Sequence, residues 1–292
     1  MQYDIRLKLR YDYEGATGSG RHQLRVLPQT LTGTQRVVAA SLSFDPQPTE
    51  RSDFADFFGN AVTSIVYRSG HDALEVRMAA RVQVDRPTPG FDVSPTPEGL
   101  RDELGAMLTL APNSPHHFRA PSSHAGSDAA ITAYAGKSAV PGRSVAALAI
   151  DFCNRIYADF TYDGEATTVA TRASDAFALQ RGVCQDFTHI MIAGLRGLGI
   201  PAGYVSGFLR TIPPPGKERL EGADAMHAWA KVWCGRETGW LELDPTNGMR
   251  ASSDHITVGH GRDYSDVAPI VGVLKTAGGQ AGEQSVDVVP VV

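Results

Sequence analysis

The strongest constraint on the fold is an alternation of apolar and polar residues in the first part of the chain. Side chains of a β-strand point alternately to the two faces of a sheet, so a period of two predicts half-buried antiparallel strands. Turn residues such as those in Phe58-Gly59-Asn60 separate these runs. We therefore expect an N-terminal antiparallel β-sandwich over residues 1–86. The alternating apolar positions include Ile5, Leu7, Leu9, Tyr11, Leu74, Val76 and Met78.

The pattern changes twice further along the chain. Residues 87–126 are rich in Pro and Ser, with room for one short helix, and this composition predicts a connector. Beyond it, apolar residues recur at helical spacing in Ser144–Tyr157 and in Cys184–Leu198. Helices followed by antiparallel strands predict an α+β domain, which we place with a C-terminal extension over residues 127–292. The strand-like runs are Gly203–Arg210, Met226–Trp233 and Trp240–Asp244.

Composition narrows the classes of protein and partner. A chain of 292 residues with 42% hydrophobic and 20% charged residues is typical of globular proteins and is long enough for two domains. A net charge of −5 disfavours nucleic acid as a partner. The sequence has no apolar run of about 18 residues and its start lacks the order of a secretory signal. We therefore expect a cytoplasmic protein with no membrane partner.

Three cysteines are too few and too scattered for a disulfide framework. Cys184 differs from Cys153 and Cys234 because it follows Gly182 at the predicted start of a helix. The free amide groups and positive dipole end of a helix favour a thiolate there, and thiolate is the nucleophilic form. The alternative for Cys184 is a small buried apolar residue, which is our interpretation of the other two.

A cysteine nucleophile needs a base, and His227 is the better of two candidates. His189 lies five residues after Cys184, which turns its side chain away from the sulfur on the same helix. His227 lies in Met226–Trp233, where strand alternation places it on the face that also carries Trp229. The opposite face has small apolar residues and can pack on a helix.

The next strand supplies a carboxylate. A turn between Trp233 and Trp240 predicts an antiparallel hairpin, and if these two residues are opposite each other, Trp229 faces Asp244. His227 and Asp244 are then diagonal neighbours about 7–8 Å apart at the backbone, within reach of their side chains. A register shifted by two residues would place them directly opposite, and a shift of one would separate them. The alternative interpretation is a half-buried histidine and an aspartate that begins a turn.

Two other motifs do not support a cofactor. His116, His117 and His124 lack a neighbouring carboxylate or cysteine cluster, so a solvated loop is expected and a metal site is not. Gly136-Lys137-Ser138 ends like a phosphate-binding loop, but Ile131 occupies the position where that loop requires glycine. We therefore expect no metal and no cofactor.

Four segments together resemble the bacterial transglutaminase-like superfamily, whose members are often described as cysteine proteases. The similarity covers about Ser127–Asn247, and Gly261–Val267 resembles the stretch that follows the acid in this group. The N-terminal strands resemble the β domain that precedes the core in many bacterial members. The four segments are Gly182-Val183-Cys184-Gln185-Asp186-Phe187-Thr188-His189, Gly199-Ile200-Pro201-Ala202, His227-Ala228-Trp229 and Asp244-Pro245-Thr246.

The resemblance implies a papain-like, transglutaminase-like core in which Cys184, His227 and Asp244 form a catalytic triad. It also implies an oxyanion hole made by the Cys184 amide and a second donor, for which Tyr162 is a candidate and Gln180 a poorer one. Asp186 and His189 match the local pattern and are expected to shape the start of the helix and its surroundings.

The expected activity is hydrolysis of an amide or peptide through a thioester acyl-enzyme. No Asp-rich calcium loop accompanies the triad, which favours hydrolysis over transfer to an amine. Transamidation, and a non-catalytic interaction module with a vestigial site, are the alternatives. The expected partner is a peptide or amide substrate, with Trp229 as a candidate for lining its groove. The oligomeric state is not predicted.

Overall fold

The first six strands form most of a two-sheet β-sandwich. A computed structural model describes residues 1–15, 17–87, 90–211, 224–276 and 278–291. Side chains from both sheets share one hydrophobic core, which includes Ile5, Leu7, Ile65 and Val76. The predicted antiparallel sandwich is therefore present. Its strands are β1 (Gln2–Tyr13), β2 (Gly20–Leu24), β3 (Gln35–Asp45), β4 (Glu50–Ala55), β5 (Ala61–Tyr67) and β6 (Ala73–Val84).

The core that follows has helices on one side of a curved antiparallel sheet. Helix α5 contacts α2, α3 and α4 and two of the sheet strands. The helices are α1 (Pro97–Gly105), α2 (Ala129–Gly136), α3 (Val145–Asp159), α4 (Ala173–Leu179) and α5 (Cys184–Gly197). The strands are β7 (Thr161–Tyr162), β8 (Arg181–Gly182), β9 (Ala202–Leu209), β10 (Ala225–Trp233), β11 (Trp240–Asp244), β12 (Met249–Arg250) and β13 (His255–Gly261).

The main sheet of this core has the strand order β12-β11-β10-β9-β13, and the short strands β7 and β8 form a separate parallel pair. The small apolar residues of β10 face the helices, as their alternation predicts: Ala228, Ala230 and Val232 lie in the core with α3 and α5. Met226 departs from this pattern because it packs against the core of the sandwich.

The last part of the chain returns to the sandwich. After α6 (Tyr264–Val267), strand β14 (Ile270–Leu274) pairs with β2, and β15 (Gln280–Pro290) pairs with β1. The domain predicted over residues 127–292 is therefore wrong at its C-terminal end. The two sheets have the orders β15-β1-β6-β3 and β14-β2-β5-β4, so both ends of the chain complete the same sandwich.

Local signals explain where the two principal helices begin and end. The Ser144 hydroxyl accepts a hydrogen bond from the amide of Ala147 and caps the start of α3. Helix α5 ends before Gly199, whose φ of +79° is a conformation that favours glycine at a helix terminus. Both helices lie where the apolar periodicity predicts them. Helix α5 is buried on almost every side, so it is a central helix rather than an amphipathic surface one.

Parts of the segment predicted as a connector, residues 87–126, are packed into the core, whereas others, such as Phe91 and Leu108, are exposed. Leu100 and Leu104 of α1 belong to the helical core, and Phe118 is fully buried after a 3₁₀ turn at Pro115–Phe118. The buried Arg196 of α5 donates to the carbonyl oxygen of Phe118, which holds the segment in place. Its Pro and Ser content therefore marks irregular backbone and not a free linker. Residues 88 and 89 lie outside the described part.

Side-chain amides of the sandwich bind the backbone of β13. The Gln35 amide donates to the Thr257 carbonyl and accepts from the Thr257 amide, at 2.8 Å each. Asn60 makes the same pair of contacts with His260, also at 2.8 Å each. These contacts replace the neighbour that an edge strand lacks.

Among the helices that the structure describes, none has the length and apolarity needed to cross a bilayer.

Candidate active site

Cys184 is the first residue of α5 and is only half-buried, whereas Cys153 and Cys234 are buried. Hydrogen bonds to the Asp186 side chain hold the start of this helix in place. The Asp186 carboxylate accepts from the Val183 amide at 2.8 Å and from the Thr167 hydroxyl at 2.6 Å. Asp186 therefore shapes the helix start, as predicted, and leaves the thiol at the helix terminus.

Glycine at position 182 is required by close packing against this carboxylate. A Cβ atom built on Gly182 would lie 2.5 Å from Asp186 Oδ2, which no real contact permits. Gly182 pairs with Tyr162 in the short parallel sheet. Tyr162 therefore lies beside the residue that precedes the nucleophile Cys184 by two positions.

His227 and Asp244 meet on the adjoining strands β10 and β11. Trp233 lies opposite Trp240, so the register predicted for the hairpin is confirmed. His227 Nε2 lies 2.8 Å from Asp244 Oδ2. A carboxylate can only accept, so the imidazole donates through Nε2 and its other nitrogen, Nδ1, is left for Cys184.

The charge state of His227 reflects both neighbours. Burial alone would lower the pKa of this imidazole, but hydrogen bonds with Asp244 and with Cys184 outweigh burial and raise it to about 10. The structure thus brings the three predicted residues, Cys184, His227 and Asp244, into one hydrogen-bonded series. An imidazole with a raised pKa favours the imidazolium and so stabilises a thiolate partner.

Asp244 is fully buried and its acceptor sites are filled. Its Oδ1 accepts from the amides of Thr246 and Asn247, at 2.9 and 3.2 Å, and its Oδ2 accepts from the Asn247 side chain at 2.7 Å. Burial would raise the pKa of this carboxyl, yet hydrogen bonds from His227, His255 and Asn247 hold it far below its ordinary value. The group is therefore ionised and fixed in orientation.

His255 is the residue of this site that sequence reasoning missed. Its Nε2 lies 3.0 Å from Asp244 Oδ2, the same oxygen that His227 contacts. Its Nδ1 accepts a hydrogen bond from the Ser252 amide at 3.1 Å, so Nε2 must carry the proton and donate to Asp244. Two histidines therefore hold one carboxylate oxygen.

The three groups also have the composition of a metal site, since the ligand atoms of His227, Asp244 and His255 lie within 4.8 Å of one another. The hydrogen bonds account for this proximity. A protonated Nε2 on His255 offers no lone pair to a metal, and the Asp244 oxygen already accepts three hydrogen bonds. The geometry favours a hydrogen-bonded network over a metal centre.

Curvature of the sheet makes the contact of His255 possible. Strands β10 and β9 lie between β11 and β13, so a flat sheet would keep Asp244 and His255 far apart. A Cβ at Gly207 would overlap the Trp229 ring, so glycine lets this ring lie against β9. The register also shifts between Thr257 and Gly259, and such a bulge bends a strand.

Two further candidates from the sequence have different outcomes: Tyr162 as the second oxyanion donor and Trp229 as a residue of the substrate groove. Tyr162 is 61% exposed beside the nucleophile, and the pKa of its phenol is raised by partial burial and by Cys184. Trp229 is fully buried and its indole donates to Glu242 Oε2 at 2.7 Å, so it does not line an open groove. That interpretation is wrong because Gly207, His255 and Glu242 of the core sheet surround the Trp229 ring. Gln180 ends α4, and its carbonyl accepts from Thr161.

The other histidines singled out in the sequence, His116, His117, His124 and His189, have structural contacts. Nε2 of His116 and Nε2 of His117 lie 2.9 and 3.0 Å from backbone carbonyl oxygens, so both nitrogens donate and neither offers a lone pair to a metal there. His189 is fully buried, accepts from the Tyr264 amide and stacks on His124 with ring centroids 5.1 Å apart. His189 therefore ties α5 to the segment after β13.

This fold, with a cysteine at the start of a central helix and a histidine and an aspartate on adjoining strands, defines a transglutaminase-like protein. The family model for the transglutaminase-like superfamily matches residues 132–245. The model for the bacterial transglutaminase-like N-terminal region matches residues 3–83.

The chain belongs to this superfamily. It is 36% identical over 302 residues to an uncharacterized protein of Mycobacterium tuberculosis strain H37Rv, covering 99% of this chain and 93% of the relative. An uncharacterized protein of Mycobacterium leprae is 30% identical over 275 residues, with 92% and 91% coverage. The resemblance inferred from the four sequence segments is confirmed.

A solved structure has the same fold. It is a candidate cysteine protease from Cytophaga hutchinsonii, with a TM-score of 0.72 and 20% identity, and the match covers 99% of this chain and 90% of that one. The α+β architecture with an N-terminal β domain is therefore shared over nearly the whole chain.

Proposed function

We propose that this protein is a cysteine-dependent hydrolase of amides or peptides. The observation that carries the proposal is the series of contacts in which Asp244 holds His227 and His227 meets Cys184. A nucleophile, a base and a group that orients the base are the minimum for acyl transfer through a covalent intermediate.

In the proposed acylation step, the Cys184 thiolate attacks the carbonyl carbon of the scissile amide. The tetrahedral intermediate collapses when the carbon–nitrogen bond breaks, and the His227 imidazolium gives its Nδ1 proton to the leaving amine. The products of this step are a thioester on Cys184 and a free amine. Asp244 keeps the imidazole in the orientation that presents Nδ1 to the Cys184 sulfur and to the nitrogen of the leaving amine.

Water completes the cycle in the proposed hydrolase. Neutral His227 takes a proton from water, the resulting hydroxide attacks the thioester carbonyl, and the acid leaves as the Cys184 thiolate is restored. In this proposal the backbone amide of Cys184, at the first turn of α5, donates to the oxyanion. The exposed Tyr162 hydroxyl is our candidate for the second donor.

The compartment is part of the proposal. All three cysteines are free, and Cys184 is half-exposed beside its base. A reducing cytoplasm preserves a reactive thiol of this kind, which supports a cytoplasmic location.

An activity screen tests the function. Purified protein is offered peptide, isopeptide and γ-glutamyl amide substrates, with Cys184→Ala as the inactive variant and Cys153→Ala as the matched cysteine control. We expect turnover in the wild type and in Cys153→Ala, and none in Cys184→Ala. A labelled amine added to the reaction separates hydrolysis from transamidation, because incorporation of the label identifies transfer.

Alkylation of the thiols tests the site without a known substrate. Iodoacetamide is expected to label Cys184 far faster than Cys153 or Cys234, with a rate that persists below pH 7. In His227→Ala this rate should fall roughly 100-fold, the scale of an acid–base partner. Slow labelling of all three cysteines at one rate, together with an empty screen, would favour a non-catalytic interaction module.

A further inference from the structure

A cavity that does not include the nucleophile Cys184 lies between the sandwich and the core sheet. Its volume is about 860 Å³. The loop after β2 and strand β4 form one wall, and strands β10, β11 and β13 form the other. Cys184 and His227 do not line it within the part of the chain that the structure describes. The side chains that matter for its chemistry are Phe54, Phe58, Lys231, Trp240, Glu242 and His260.

Lys231 is the buried cation of this cavity. Only 7% of the residue is exposed, and its ammonium lies 4.1 Å from the centre of the Phe118 ring and 4.5 Å from that of Trp240. The two rings hold the cation by their faces. Among the described residues, no oxygen accepts a hydrogen bond from it and no carboxylate lies within ion-pair distance. The ammonium therefore has aromatic walls and no counter-ion.

The carboxylates nearby already have partners. Glu242 lies opposite Lys231 in the sheet register, but its Oε2 receives Arg86 Nη1 at 3.0 Å and Trp229 Nε1 at 2.7 Å. His260 Nε2 is 4.0 Å from its other oxygen.

On the sandwich side, Asp53 is paired with Arg51 at 3.1 Å. Among the described residues that line the cavity, Lys231 is thus the charged side chain without an oppositely charged partner within ion-pair distance. Burial lowers the pKa of the Lys231 amine to about 7, against the opposing effect of Glu242. A single negative charge supplied from outside would remove this imbalance.

We propose that this cavity binds a small organic monocarboxylate whose carboxylate pairs with the Lys231 ammonium. The aromatic side chains of Phe54, Phe58 and Trp240 supply the wall for an apolar body, and Phe54 is otherwise an exposed aromatic residue. A dianion such as phosphate fits less well, because its second charge would lie beside Glu242. The site goes beyond the proposed hydrolase reaction, since it uses none of its residues.

Calorimetry with 3-phenylpropionate tests the proposal, with neutral 3-phenylpropionamide as the matched ligand. Cys184 is first alkylated with iodoacetamide or replaced in Cys184→Ala, so that binding at the candidate active site does not contribute. Lys231→Met is the test variant and Lys137→Met, on an exposed lysine, is the control. Titrations in two buffers of different ionisation enthalpy report the protons taken up.

We expect the carboxylate to bind the wild type and Lys137→Met, and the amide to bind at least tenfold more weakly. Because the carboxylate binds the charged amine, binding at pH 8 should take up about one proton, and affinity should fall by up to about tenfold per pH unit above pH 7. Lys231→Met should lose both the affinity and the uptake.

Three results would overturn the proposal. They are no binding by the wild type, equal binding of acid and amide, and proton uptake that persists in Lys231→Met. Persistent uptake would assign the proton to His260, whose pKa burial also lowers. The wild-type titrations with acid and amide decide the question even if Lys231→Met does not fold.

Discussion

At the scale of single residues, the candidate site depends on how Asp244 is held. Two histidines donate to its Oδ2, and three further donors fill its remaining acceptor positions. The His255 proton is fixed on Nε2 by the Ser252 amide, so this histidine acts as a permanent donor. It positions the carboxylate and competes with His227 for it.

Replacing His255 should therefore change both rate and pH dependence. In His255→Leu, Asp244 loses one donor and interacts more strongly with His227, so the pKa of His227 rises further and the alkaline limb of kcat/KM moves to higher pH. We expect kcat to fall roughly tenfold, as for other residues that orient a catalytic group. His255→Gln keeps an N–H donor and should recover most of the rate.

The pH profile separates this role from a structural one. If His255→Leu loses activity with an unchanged alkaline limb, or if His255→Gln is no better than His255→Leu, His255 only supports packing.

Gly182 gives a second prediction at this scale. In Gly182→Ala the new methyl group meets the Asp186 carboxylate, so the start of α5 must shift. We expect a loss of about 1–3 kcal/mol in the free energy of unfolding and slower alkylation of Cys184. Urea denaturation and iodoacetamide labelling measure the two effects. Gly164→Ala is the control because a Cβ there meets open space, and equal results for both variants would contradict the packing argument.

At the scale of elements, local signals predicted the strands and helices that carry Cys184, His227 and Asp244. Helix α5 starts at the expected cysteine, and the hairpin between Trp233 and Trp240 has the expected register. His255 could not be found in this way. Its contact depends on curvature across the whole sheet, and in the sequence only the β-branched residues that follow it, Ile256-Thr257-Val258, indicate a strand.

The edge strand β13 therefore controls the site from outside the helical core. Gln35 and Asn60 of the sandwich bind its backbone, and His255 begins it. Trp229 was misassigned for a related reason, because sequence periodicity identifies the face of a strand but not whether neighbouring strands curve over that face.

Gln35→Leu should weaken this connection. The variant leaves the buried amide and carbonyl of Thr257 without their side-chain partner, which costs about 1–3 kcal/mol for an unsatisfied group. We expect a lower midpoint in urea and a reduced kcat, measured on the best substrate from the screen. Gln83→Leu, at a half-buried glutamine of β6 whose side chain bonds to the exposed side chains of Arg36 and Asp85, should change neither. A stable Gln35→Leu protein with full activity would show that the sandwich does not support the site.

At the scale of the whole molecule, the two ends of the chain lie together. Strand β15 pairs with β1 along its length, with Tyr3 opposite Pro290. The sequence did not reveal this return because the periodicity of a strand does not specify its partner. The sandwich and the core are consequently interleaved along the chain, and neither corresponds to one continuous segment.

The last strand should therefore matter to the stability of the whole protein. Val288 is fully buried in the sandwich core, whereas its neighbour Val289 is 42% exposed. We expect Val288→Ser to lower the free energy of unfolding by about 2–4 kcal/mol, because it removes apolar contacts and buries a hydroxyl. Val289→Ser should change it by less than about 0.5 kcal/mol. Similar thermal melting of the two variants would mean that β15 is dispensable.

The pairing of first and last strands also sets an order of events during synthesis. A nascent chain has made β1 long before β15 emerges from the ribosome, so one edge of β1 stays uncovered until β15 has been made. Any chain released early lacks that cover and exposes a strand edge to its neighbours in the cell. Pairing of β15 with β1 is thus the step that covers this edge against association with other unfinished copies.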